Sequence, residues 1–275
     1  MQKLQLPAVH RSRRIYTVAA AVLCTMGCAT AGAQMRPDAG AAGTPENSSA
    51  WGLGLGISSA QRPYPGVENK NSAIPLLYYE NAWLRVNGGS ADIKFANKDF
   101  GSNGSLAFAG RLKYEDSGFK ADDSPSLTGM DERQGGLWGG AAVTWNHPVV
   151  RVSGEWLSDL SSNSKGQKLQ LQVDRRFGFG NFAVTPRLQA QWLDKKYVDY
   201  YFGVRAHEAL PGRSQFTGKA ASTLEVGVRM DYMFRPKQTV FVDVSATSLP
   251  EEIKSSPIVG RSSVSRVSVG YLYRF

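Results

Sequence analysis

Along most of this chain, segments of about ten residues alternate strictly between apolar side chains and polar or very small ones, a length that suits a tilted strand crossing a bilayer. Leu106, Phe108, Gly110, Leu112 and Tyr114 alternate with Ser105, Ala107, Ala109, Arg111 and Lys113. Leu169, Leu171 and Val173 alternate with Lys168, Gln170, Gln172 and Asp174, and Trp51, Leu53, Leu55 and Ile57 with Gly52, Gly54, Gly56 and Ser58. The same period runs through 182-192 and 223-234. Successive strand side chains point to opposite faces, so each segment carries one apolar face and one polar face.

Alternation alone suits a soluble sandwich as well as a membrane barrel. The polar face separates the two. Arg111, Arg151, Glu155, Lys168, Asp174, Arg187, Glu225, Arg229, Asp231, Asp243, Arg266 and Arg274 all fall on it. So many ionisable groups do not fit a dry core, but they fit a solvated lumen whose outer face meets lipid. The 29 glycines argue against a helical bundle, and mean hydropathy of -0.30 argues against helical membrane spans. Connection lengths agree. Strands read at 50-60, 73-80, 83-88, 90-97, 104-114, 136-146, 149-159, 167-177, 181-193, 221-234, 238-247 and 263-275 leave tight turns alternating with longer loops. The tight turns fall at Glu80-Asn81, 97-103, His147-Pro148, 178-180 and 235-237; the loops fall at 61-72, 115-135, 160-166, 194-220 and 248-262, with Gly88-Gly89 the one short outer connection. The fold class expected is an all-β, transmembrane antiparallel up-and-down β-barrel of about twelve strands, ten or fourteen being the other even counts that the short 83-97 region leaves open.

The N-terminus reads as an address. Lys3, Arg11, Arg13 and Arg14 precede an apolar run from Ile15 to Cys28, and Ala31-Gly32-Ala33 has the small-x-small form of a cleavage site. Residues 1-33 are therefore expected to be a signal peptide, 34-49 a flexible periplasmic lead-in and 50-275 the barrel. Cleavage leaves 28 basic against 23 acidic residues and no cysteine, which suits an oxidising compartment. Acylation at Cys28 is the weaker reading, since Thr25-Met26-Gly27 lacks the leucine expected before a lipidated cysteine.

The C-terminus is the most specific signal. Ser268-Val269-Gly270-Tyr271-Leu272-Tyr273-Arg274-Phe275 runs polar, any, Gly, apolar, any, aromatic, any, aromatic. It resembles the β-signal read by the barrel-assembly machinery: Tyr271, Tyr273 and Phe275 share one face, and Gly270 permits close backbone approach in strand addition.

Several segments then resemble the MipA/OmpV family of outer-membrane proteins. They are Tyr64-Pro65-Gly66, the run 121-130 (ADDSPSLTGM), the run 192-204 (WLDKKYVDYYFGV) with Glu208-Ala209, and Ser256-Pro257-Ile258-Val259. The lead-in at 34-49 matches none of its motifs. The resemblance implies a non-enzymatic outer-membrane scaffold, an MltA-interacting protein type that brings a peptidoglycan lytic transglycosylase together with a peptidoglycan synthase. Outer-membrane lipid and lipopolysaccharide are its expected surroundings. A small-solute channel and a surface adhesin acting through 115-135 and 194-220 are the alternatives.

The residues themselves point to no cofactor, metal or catalytic site. The mature chain has only His147, in a turn, and His207, in a loop near which Asp122-Asp123 offers an acidic pair. Glu115, Asp116, Asp122, Asp123, Asp131 and Glu132 lack the ordered spacing of a calcium loop and read as a diffuse charged loop. Lys195, Lys196, Tyr197, Tyr200 and Tyr201 resemble an outer-loop surface for glycans or lipid phosphates, with an outer girdle or a strand extension above the membrane the favoured reading of the tyrosines. Nucleic acid is excluded, because basic residues alternate with acids instead of clustering.

Overall fold

The computed structural model describes residues 49–275, so the expected signal peptide 1-33 and all but the last residue of the 34-49 lead-in lie outside the described residues. Thirteen strand segments form one antiparallel sheet: β1 (Ala50–Ala60), β2 (Lys70–Glu80), β3 (Leu84–Asn87), β4 (Ser90–Asp99), β5 (Ser105–Glu115), β6 (Gly136–Asn146), β7 (Arg151–Asp159), β8 (Gln167–Asp174), β9 (Phe177–Phe179), β10 (Phe182–Leu193), β11 (Ala221–Arg235), β12 (Gln238–Ser248) and β13 (Ser263–Arg274). The sheet closes where β1 pairs with β13, from Gly52 opposite Arg274 to Ala60 opposite Arg266. Both β8 and β9 pair with β10, so they are one interrupted strand and the barrel has twelve. The interruption faces Pro186 of β10, whose carbonyl accepts from Arg175 N at 3.3 Å but which has no N–H to return.

The two faces are distributed as the alternation requires. Leu55 is 71% exposed on the outer face of β1, whereas Lys168 on the inner face of β8 is 1% exposed. Charges inside and apolar rows outside invert the plan of a soluble protein and match a barrel set in lipid. The inner charges are paired. Arg111 makes two 2.7 Å bonds to Asp92 and also reaches Glu155. Lys113 contacts Glu155 at 3.1 Å, and Lys168 pairs with Glu115. Across the lumen wall Arg187 holds Asp243 at 2.7 and 3.0 Å and Glu225 at 3.2 Å. Bidentate arginine–carboxylate pairs of this kind are strong and directional. Breaking one from one side leaves a poorly solvated charge and costs about 3–5 kcal/mol. Arg187→Ala, which strands Asp243 and Glu225 beside each other, is accordingly expected to lower the urea midpoint of the bilayer-embedded barrel; an unchanged midpoint would contradict the role given to this pair.

The wall is uneven where the short β3–β4 hairpin stands. β2 meets β3 only from Tyr78 to Glu80, so Lys70–Leu77 has no strand beside it on that side among the described residues. Leu77 O accepts from Gly88 N at 3.0 Å, which marks the side its backbone faces. Alternate residues face the same way, so Pro75 also points into this notch, and the N–H it lacks is one that would have had no partner there. The apolar period starts this strand at 73, whereas β2 begins three residues earlier; Lys70, Asn71 and Ser72 carry no such period but pair with Ala60, Ser59 and Ser58.

Candidate functional site

At the long-loop end the connections do not splay. Segments 61–69, 116–135, 194–220 and 249–262 pack into an apolar cap over the barrel, built on Tyr64, Phe119, Leu127, Val198, Ile253 and Ile258. The expectation of a diffuse, solvated outer loop is therefore corrected. Five of the six acids in 115–132 have a cation: Asp116 with Lys70, Asp123 with Arg62 at 2.9 Å, Asp131 with Arg205, and Glu132 with Lys120 at 4.0 Å, while Glu115 belongs to the barrel network. Asp122 alone has no ion pair among the described residues.

Residues 194–202 form neither a girdle nor a strand extension. Lys195–Phe202 is a helix, α1, because the Asp194 carboxylate accepts from Tyr197 N at 2.8 Å and caps its first turn. Val198, Tyr201 and Phe202 then fall three and four residues apart on one buried face. Lys195 and Lys196 are left exposed, and Tyr197 and Tyr201 turn inward; the five residues do not share one surface. The Tyr64 hydroxyl donates to Tyr201 O at 3.0 Å, and the Tyr201 hydroxyl to Gln134 O at 3.1 Å. Burial pushes the pKa of Tyr64, Tyr197 and Tyr201 above the ordinary tyrosine value, so their hydroxyls stay neutral.

Two arginines hold the cap together. Arg133 bonds both oxygens of Glu208 at 2.8 and 2.9 Å, and the pair is buried to 1% and 0% exposure. The Arg133 Nε also donates to Tyr200 O at 2.7 Å. Glu208 receives the backbone N–H groups of Asp131 and Arg205 at 2.9 and 2.8 Å. Burial would raise the Glu208 pKa, but those N–H donors and Arg133 outweigh it and hold the carboxyl below its ordinary value. Arg213 donates to the carbonyls of Ser126, Thr128 and Glu208 at 2.8–3.0 Å. Elsewhere Ser124 and Ser126 hydroxyls donate to Pro65 O at 2.7 and 2.8 Å, and Ser256 Oγ to Phe202 O at 2.6 Å. All four motifs that carried the family resemblance thus meet in this cap.

Asp131, His207 and Glu208 bring three possible metal-ligand atoms within 4.8 Å of one another. They do not fit a cation. Both Glu208 oxygens are taken by Arg133, and Asp131 by Arg205 and by His207 at 3.0 Å, so an ion there would face two guanidiniums. His207 therefore lies with Asp131, not with the Asp122-Asp123 pair considered from sequence. His147 is a turn residue at the opposite rim, where its Nδ1 accepts from Val149 N at 3.2 Å.

At that short-turn rim the last strand completes the barrel. Tyr271 and Phe275 face outward; Tyr273 and Phe275 rings meet at 5.0 Å, and Phe275 N donates to Trp51 O at 2.9 Å. Gly270 lies inward under the Phe241 ring, with no room for a Cβ. In the closed barrel β13 is paired on both sides, so it is an edge only before closure.

Known proteins share parts of this sequence. The chain matches the family described as MltA-interacting protein MipA over residues 53–275. It is 24% identical over 239 residues to an Escherichia coli K12 protein named MltA-interacting protein, covering 85% of this chain and 94% of that one. It is 23% identical over 224 residues to the putative outer membrane protein YiaT of the same strain, covering 81% and 90%. Among solved structures the NanC porin aligns with a TM-score of 0.42 and 9% identity, over 80% of this chain and 98% of that one.

Proposed function

We propose that this chain, which belongs to the MltA-interacting protein MipA family, is an outer-membrane barrel that holds a peptidoglycan lytic transglycosylase, and with it a peptidoglycan synthase, against the inner face of the outer membrane. The observation that carries this reading is the family match across the whole barrel, together with a relative of near-equal length whose name records an MltA interaction. The physics of the barrel supports it. A lumen crossed by ion pairs and covered by a packed cap is poorly suited to the channel reading, and it leaves the periplasmic rim as the surface for a cell-wall partner. Phe100 and Phe179 stand exposed at that rim, where aromatic side chains serve as interface anchors. The 34-49 segment would extend the same contact after signal-peptide removal at 33. Gly270, Tyr271, Tyr273 and Phe275 would be read by the barrel-assembly machinery before closure, and exposed Lys195 and Lys196 would meet the phosphates of lipopolysaccharide.

The test is affinity capture of the tagged full chain from detergent-solubilised envelopes. A lytic transglycosylase is expected in the eluate, and Phe100→Asp with Phe179→Asp is expected to reduce its recovery about tenfold. Recovery of neither a transglycosylase nor a synthase would overturn the proposal.

A further inference from the structure

A cavity of roughly 250 Å³ lies between the cap and the strands below it. Tyr64, Tyr197 and Tyr201 line it from the cap side, and the rings of Tyr64 and Tyr201 are held there by hydroxyls tied to cap carbonyls. Gln170, Gln189, Gln191 and Thr223 line it from the strands. Register places them together: Gln191 is opposite Gln170 on one side and Thr223 on the other, with Gln189 one inward-facing position further along β10. Among the described residues the amides of Gln170, Gln189 and Gln191 hydrogen-bond no protein group. A primary amide offers two donors and two acceptor sites, and leaving such groups unmet in a recess costs free energy. They are therefore set to meet water or a ligand.

The charged groups on the same walls are already engaged. Lys113 lies 3.2 Å from Glu115, Glu225 accepts from Arg187 and Thr247, and Lys70 pairs with Asp116. Arg266 lies in the attractive field of the Glu225 and Glu115 carboxylates. What remains for a ligand is aromatic surface and uncharged groups that both donate and accept. That combination complements a sugar, whose C–H face packs on an aromatic ring and whose hydroxyls also donate and accept.

A second hollow adjoins the cavity on its outer side. An outer cleft of roughly 420 Å³ shares Arg62, Lys70, Asp116, Ser117 and Gly118 with the cavity wall. It lies beside the notch left by the short β3–β4 hairpin, and the pairs Arg62–Asp123 and Lys70–Asp116 span it.

We infer that the space beneath the cap is a binding site for an uncharged, pyranose-sized sugar, entered between segments 61–69 and 116–135. Purified full-length chain in detergent would be titrated with glucose, N-acetylglucosamine and glucose 6-phosphate by calorimetry, with saturation-transfer NMR as a second readout. At least one of the two neutral sugars is expected to bind saturably in the millimolar range and the phosphate ester at least about tenfold more weakly. Gln170→Leu with Gln191→Leu is expected to weaken the neutral sugar at least about tenfold while the folded barrel keeps its gel mobility. Thr223→Val, a near-isosteric change, gives a smaller loss in the same direction and guards against a folding defect in the double variant. Absence of saturable binding by both neutral sugars up to about 100 mM, binding of the phosphate ester as tight as theirs, or unchanged affinity in the folded glutamine and threonine variants would overturn the inference.

Discussion

Gly54→Val is expected to abolish the folded barrel. Gly54 sits at the closing seam, opposite Leu272 of β13 and Leu76 of β2. A Cβ built there would lie 2.0 Å from Tyr271 O and 3.0 Å from the Leu272 Cα, both backbone atoms that cannot rotate away. Glycine in a strand marks close backbone approach of this kind. Because the seam joins the first strand to the last, a side chain there blocks the one pairing that turns an open sheet into a barrel, and an open edge has no hydrogen-bond partners in lipid. Gly110→Val serves as the matched control, since Gly110 of β5 faces outward and a Cβ added to it would meet nothing within 4 Å. Folded protein in the outer membrane would be scored by heat-dependent gel mobility. The control is expected to fold and Gly54→Val to leave none; a folded Gly54→Val barrel would show that the seam tolerates a side chain.

Glu208→Ala should open the cap while leaving the barrel closed. The substitution leaves the Arg133 guanidinium buried without its carboxylate, a change that costs about 3–5 kcal/mol. Trypsin cleavage at Lys195, Lys196, Arg205 or Lys219 is expected to rise steeply in intact cells, with the barrel's own gel mobility unchanged. Arg133→Met combined with Glu208→Leu should be milder than either single change, because no unpaired charge stays behind. A double variant as sensitive as the sum of the singles would rule out this pairing as the latch. The linkage with pH follows from the lowered Glu208 pKa. Its contribution is fully present above the ordinary glutamate value of 4.5 and is lost as pH falls through the lower folded value. Cap protection is thus expected to be flat from neutral pH down to that ordinary value and to decline only below it.

The barrel was legible because its code is periodic and local. On β5, β8, β10 and β11 every second residue announced its face, and Arg111, Lys168, Arg187 and Glu225 all point inward as that period requires. The cap had no such code. Tyr64, Phe119, Leu127, Val198 and Ile253 come from four loops separated by whole strands, and nothing in their spacing says that they meet. Helix α1 did leave a trace: Asp194 before a run with Val198, Tyr201 and Phe202 at helical spacing. The tyrosines and lysines clustered in the same run suggest a binding surface and mask that period. The break between β8 and β9 was hidden for another reason, since the residue opposite it, Pro186, lies on a different strand. The sub-cap glutamines look like ordinary lumen polar residues until the cap above them is known.

The scaffold proposal meets its most direct test in living cells. A photoreactive phenylalanine analogue would be placed singly at Phe100, at His147 and, on the cap, at Lys195, and adducts identified after irradiation. The expected result is a lytic transglycosylase joined to the chain from Phe100 or His147 and not from Lys195. A transglycosylase adduct from Lys195 alone, or none from either rim position, would contradict it.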